Sequence, residues 1–269
     1  MMKKTFYLLG FVFIALLACD DDDVNLFEKT ADERSAEAIA NLKQELVAPA
    51  NGWILQYRPQ EGSGSYYVLL DFHETDKVVI KTDLGAEDGR YFEDTISYRI
   101  DNSLGLELIF ENYSFFAFLF EQDQATFGAE YQFNYVNKTP DNALVFQSKT
   151  DLSTPDIILF EEASAEDVNL LGINLARNLN TLSGDLDKFT SSLKLTYANR
   201  DLALFLSLDE LRRTVTVTSA ALKSNTNSIQ NVGFTTPYII QGDSMVFEEP
   251  LETTILGNAV SIRSLKLDA

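Results

Sequence analysis

From Trp53 onward the apolar residues fall at every second position in one short segment after another, each bounded by Gly, Asn, Asp or Pro. A period of two puts one face of each segment toward a core and the other toward water, the signature of antiparallel strands. Trp53, Leu55 and Tyr57 share one face, and Tyr66, Val68, Leu70 and Phe72 repeat the pattern after the Glu61-Gly62-Ser63-Gly64 turn. Residues 77–81, 96–100, 131–135, 142–149 and 155–160 continue it, as do 192–197, 202–208, 214–218, 238–241, 245–247 and 259–267. In the last of these Val260 and Ile262 are out of phase with Leu265 and Leu267, which predicts a bulge near Arg263 and Ser264.

One helix precedes the alternation and a second interrupts it. Thr30-Ala31-Asp32-Glu33 has the form of a capping box, and Ile39, Leu42 and Leu46 follow at helical spacing, so a helix is predicted over 31–47, ended by Pro49 and turned by Asn51-Gly52. Ser164-Ala165-Glu166-Asp167 opens a second helix through Leu170, Ile173, Leu175 and Leu179. Residues 114–120 read Ser-Phe-Phe-Ala-Phe-Leu-Phe, apolar on both faces, and are expected to form a buried core strand, with the lining of a greasy pocket as the other reading. The fold class is therefore mostly β: two packed antiparallel β-rich lobes, meander or barrel-like, each preceded by a short α-helix. The expected boundaries are 31–162 and 163–269.

Ahead of these lie segments that belong to no fold. Met1-Met2-Lys3-Lys4, an apolar run over 5–17 and Ala18 before Cys19 make a secretory signal at 1–18. The run is short of the roughly 20 residues a membrane-spanning helix needs. Leu16-Leu17-Ala18-Cys19 resembles the bacterial lipobox, in which the cysteine is acylated, so Cys19 is the expected lipidation site. Lipidation also accounts for a lone cysteine in an exported chain. Asp20-Asp21-Asp22-Asp23 then begins an acidic tether over 19–30 that repels itself and holds the folded part off the membrane. Acidic residues at that place also resemble the signal that sends lipoproteins to the exterior of the outer membrane.

Composition removes several function classes. The chain carries 21 basic and 41 acidic side chains, and losing Lys3 and Lys4 with the signal takes the charge from -20 to about -22. Such a surface repels phosphate backbones, so nucleic acid is not an expected partner. With one histidine and one cysteine, no zinc cluster and no Ser-His or Cys-His triad is expected. His73, in Asp71-Phe72-His73-Glu74, reads as a turn residue; no metal site, no cofactor and no catalytic residue is expected. The Gly62-Ser63-Gly64-Ser65 stretch lies between strands and reads as a hairpin turn rather than a phosphate loop.

Among the aromatics, Tyr66, Tyr67, Tyr91 and Tyr113 lie near predicted strand ends beside carboxylates, where ring faces stack on sugar C–H groups; they are the expected ligand-binding residues. Trp53, next to a helix and a turn, reads as a core plug.

The stretch 27–34, the helix, Asn51-Gly52-Trp53-Ile54-Leu55-Gln56-Tyr57-Arg58-Pro59, the strand at 66–72 and the C-terminal run 234–267 resemble a family of Bacteroidetes lipoproteins, domain of unknown function 4302. The resemblance implies an accessory protein of SusC/SusD-like systems, which import glycans or peptides through TonB-dependent receptors, and it transfers no catalytic residues. The expected function is a lipid-anchored, outer-membrane, cell-surface accessory or binding module of nutrient uptake, not an enzyme, held by outer-membrane lipid and partnered by a TonB-dependent receptor and a SusD-like lipoprotein. The alternatives are a glycoside hydrolase using two carboxylates and a barrel carrying a hydrophobic ligand against residues 115–120.

Overall fold

The computed structural model describes residues 28–59, 62–85, 91–122, 129–150, 157–182, 191–197, 200–209, 211–222, 229–242, 244–255 and 258–266. The signal, Cys19 and the start of the tether lie outside them.

Helix α1, Ala31–Val47, starts where its capping box does: the Thr30 hydroxyl accepts from the Glu33 N–H at 3.2 Å, and the Glu33 carboxylate accepts from the Thr30 N–H at 2.8 Å. Leu42 and Leu46, one turn apart, are buried in the main core. After α1 the chain reverses at Gly52, whose φ of 73° and whose closeness to the Leu70 carbonyl, 2.4 Å from where a Cβ would stand, leave room for no side chain.

Eight strands follow: β1 (Trp53–Tyr57), β2 (Tyr66–His73), β3 (Lys77–Gly85), β4 (Tyr91–Asp101), β5 (Glu107–Phe110), β6 (Gln132–Lys138), β7 (Leu144–Ser148) and β8 (Ile157–Glu162). Each pairs antiparallel with the next, and Trp53 opposite Glu162 and Ile54 opposite Glu161 close the ring into a barrel. Closure leaves no free edge in this sheet. Strand β2 shows the alternation most fully: Tyr66, Val68, Leu70 and Phe72 face the barrel core, whereas Tyr67 and Leu69 belong to a separate outer cluster.

Residues 115–120 are not a strand. They form helix α2, Phe115–Glu121, begun by Ser114, whose hydroxyl accepts from the Ala117 N–H at 3.4 Å. Phe115, Phe116 and Leu119 are fully buried, at helical rather than alternating spacing. Their rings meet inward-facing rings of four strands: Phe116 lies 5.1 Å from Tyr57, 4.7 Å from Phe110 and 5.4 Å from Phe133, and Phe115 lies 5.2 Å from Tyr66. A continuous apolar run carries no period of its own. The space between the strands, which needs filling to ordinary packing density, decided for a helix.

Helix α3, Ala165–Leu182, begins at a second reciprocal cap, with the Ser164 hydroxyl accepting from the Asp167 N–H at 3.2 Å and Asp167 accepting from the Ser164 N–H at 2.8 Å. Its Leu171 packs with Ala163 on Ile54, Tyr67 and Leu69, covering the outer face of β1 and β2. Strands β9 (Ser191–Tyr197), β10 (Arg200–Asp209), β11 (Thr214–Leu222), β12 (Ile229–Gln241), β13 (Ser244–Ile255) and β14 (Asn258–Lys266) then form a six-stranded antiparallel meander in sequential order. The fold is mostly β, and a helix precedes each run of strands. Only the first run closes into a barrel; the second stays an open sheet, with Val215, Val217, Tyr238, Ile240, Met245 and Phe247 in its own core. The irregularity expected near Arg263 is present, but the extra residues lie across from it: Val246 pairs with Ser264 and Leu251 with Ile262, so 247–250 of β13 stand opposite Arg263 alone. Pro250, which has no N–H to donate, lies in that stretch.

Candidate functional site

The four tyrosines expected to bind ligand do not form one platform. Tyr66 is 0% exposed; its hydroxyl donates to the Leu211 carbonyl, and the Arg213 guanidinium lies 4.7 Å from its ring centroid. Tyr67, buried on the opposite face of β2, donates to the Asp167 carboxylate at 2.8 Å. Burial pushes both phenols well above their ordinary pKa, with the Asp167 acceptor adding to the effect at Tyr67. A stacking platform needs an open ring face, and neither ring offers one. Tyr113, 55% exposed, stands just before α2. Tyr91 opens β4 opposite Gly85, and its side chain is outside the described set. Trp53 is the core plug its position suggests, 1% exposed with its indole N–H donating to the Leu46 carbonyl at 2.8 Å. His73 is exposed, 3.8 Å from the Asp71 carboxylate. Among the described residues no three His, Cys, Asp or Glu side chains gather as metal ligands.

Where the barrel meets the second sheet, the structure buries charge. Asp83 of β3 and Arg213 of the β10–β11 turn are 0% and 1% exposed. The Arg213 Nη2 donates at 3.1 Å both to the Asp83 carboxylate and to the Asp83 carbonyl, and Nη1 lies 3.4 Å from the second carboxylate oxygen. Asp83 also accepts from the Tyr67 N–H at 3.1 Å. One backbone bond crosses the same junction, Gly64 N–H to the Arg212 carbonyl at 2.9 Å, while within the second sheet the Tyr238 N–H of β12 donates to the Arg213 carbonyl at 2.8 Å. Arg213 reaches its partner from a left-handed backbone, φ 52°. These residues escaped the sequence reading, because Lys81-Thr82-Asp83 resembles a solvated strand end and Arg212-Arg213 an exposed turn. A groove of about 130 Å³ runs along this seam between Gln56, Arg58 and Ser65 on one side and Pro237, Ile239 and Glu248 on the other. Arg58 and Glu248 span it at 2.8 Å. It is smaller than the roughly 300–1,000 Å³ of ordinary ligand pockets.

A second groove, of about 300 Å³, reaches that range. It lies between the C-terminal half of α1 and the rim of the barrel where β1 and β8 meet, lined by Asn41, Gln44, Glu45, Lys138 and Glu162 above Trp53. Glu45 and Lys138 face each other at 3.9 Å, at the outer limit of an ion pair. Amides, carboxylates and an ammonium on an open surface can bind polar groups. This groove is the candidate functional site, and it shares none of the four tyrosines.

No curated protein and no solved structure matches the chain. A family model described as a domain of unknown function, DUF4302, matches residues 22–269. The match runs from the acidic tether through the barrel, α3 and the second sheet, and by it the chain belongs to the DUF4302 family.

Proposed function

We propose that the protein is a lipid-anchored lipoprotein of the outer membrane, exposed on the cell exterior, that acts as a non-enzymatic accessory or binding module of a nutrient-uptake system of the SusC/SusD type in Bacteroidetes. The observation that carries this reading is Leu16-Leu17-Ala18-Cys19 followed at once by Asp20-Asp21-Asp22-Asp23. Two or more acyl chains on one cysteine give stable anchoring, and a charged spacer keeps the folded part in water. No helix among the described residues is long and apolar enough to cross a membrane. The buried Asp83, Arg213, Tyr66 and Tyr67 are engaged in joining and packing the fold, which agrees with a scaffold that presents an open surface groove. The carrier alternative requires a ligand to displace the rings of Phe115, Phe116, Phe110 and Phe133 from the barrel interior.

Metabolic labelling with radioactive palmitate tests the anchor. The wild-type chain takes up label and the Cys19→Ser chain does not, and protease added to intact cells removes the wild-type protein. Native purification in mild detergent with mass spectrometry then tests the assembly, with stoichiometric recovery of a TonB-dependent receptor and a SusD-like lipoprotein expected. An unlabelled or protease-protected wild-type chain refutes surface anchoring, and a chain recovered without those partners refutes the uptake role.

A further inference from the structure

Helix α1 presents two stripes over its last turns. Leu42 and Leu46 enter the core, and beside them Asn41, Gln44 and Glu45, at i, i+3 and i+4, line the groove together with Ala48 just past the helix end. A helix stripe next to a barrel rim is ordinarily apolar and packed. Here it carries two amides and a carboxylate, and Ala48 is too small to close the gap. Among the described residues no hydrogen bond engages the side chains of Asn41 and Gln44. On the facing wall, Lys138 ends β6, and Glu162 is the residue paired with Trp53 at barrel closure. The Trp53 ring, 1% exposed and with its indole N–H committed to Leu46, closes the bottom of the groove and offers neither a donor nor a stacking face.

We infer that this groove binds an uncharged, hydroxyl-rich ring of about monosaccharide size, one unit of a glycan. Each amide offers both a donor and an acceptor, the carboxylates of Glu45 and Glu162 accept from hydroxyls, and the Lys138 ammonium donates to them. Two carboxylates against one ammonium, on a chain of net charge -20, disfavour an anion. A walling of polar side chains disfavours a wholly apolar ligand, and the Lys138 ammonium, 3.9 Å from Glu45, offsets one of the two carboxylates that would otherwise draw a cation. The volume of about 300 Å³ stands at the lower end of ligand pockets and suits one ring rather than an extended segment.

This inference rests on the reading of the protein as a binding module, whereas anchoring and partner recovery are measured separately, so either can fail without the other. The test is saturation-transfer NMR and calorimetry of the full-length protein in detergent against neutral malto-, cello-, xylo-, manno- and galacto-oligosaccharides. Binding of at least one series is expected, weakened about ten-fold by Asn41→Ala or by Gln44→Ala and abolished by Ala48→Phe. All three positions are exposed, so the melting curves of the variants stay with the wild type and separate loss of binding from loss of fold. Absence of binding across the panel overturns the inference, as does binding that survives the three substitutions. Tighter binding of spermine than of any saccharide also overturns it, in favour of a cation site.

Discussion

Replacing Asp83 with Ala leaves the Arg213 guanidinium, 1% exposed, with its carboxylate partner gone, and leaves the Tyr67 N–H without its 3.1 Å acceptor. Removing one member of a buried pair costs about 3–5 kcal/mol, because the surviving charge stays desolvated. For a chain of this size that corresponds to a fall in Tm of roughly 6–20 °C. Arg213→Met is expected to cost as much for the mirror reason. The pair Asp83→Leu with Arg213→Met removes both charges and regains most of the loss, since well-packed apolar replacements of a buried pair are often neutral. The left-handed φ of 52° at Arg213 adds a second check: Arg213→Gly comes out about 1 kcal/mol more stable than Arg213→Ala, because glycine adopts that backbone without strain. Urea denaturation followed by circular dichroism and by fluorescence serves as the assay. Trp53 is the only tryptophan and lies in the barrel core, so its emission reports the barrel while dichroism reports both sheets. Single substitutions that each cost under about 1 kcal/mol, or costs that simply add in the double variant, would refute the account of the junction.

Gly64→Ala places a Cβ 2.3 Å from the Tyr238 carbonyl and 2.4 Å from the Arg213 carbonyl, so the turn must move away from the second sheet; a loss of about 1–3 kcal/mol is expected in the same denaturation assay. Phe116→Ala, which removes the ring that touches Tyr57, Phe110 and Phe133, is expected to cost about 3–5 kcal/mol and to shift the midpoint of the Trp53 emission curve. Burial, and then the Asp76 carboxylate, push the Tyr98 phenol up to about 12, from an ordinary 10.0. A raised phenol pKa contributes stability that is complete below pH 10 and is lost as pH climbs from 10 to 12. Tyr98→Phe therefore flattens the alkaline side of a Tm-against-pH curve, and an unchanged alkaline side speaks against a buried phenol there.

Much of the architecture could be read along the chain because it rests on contacts between near neighbours. Thr30 with Glu33 and Ser164 with Asp167 cap helices three residues ahead, and period-two alternation marks strands wherever one face is wet. Trp53 could be assigned to the core because a helix and a tight turn flank it. The alternation also carries Tyr66 inward, yet a ring near a strand end reads the same whether it meets a ligand or an arginine 147 residues later. Its role depends on a partner across the fold.

Local pattern determined the helix starts, the strand phases and the mostly β class, since capping bonds and pleat geometry need only adjacent residues. Tertiary structure alone decided that Trp53 and Glu162 meet to close a barrel while the second sheet stays open, that residues 115–120 coil into a plug, and that Asp83 and Arg213 lose their water to each other. It likewise set Asn41, Gln44, Lys138 and Glu162 around one groove. Each of these depends on which surfaces cover which, and the cost of burying a charge or leaving space unfilled is set by distant residues.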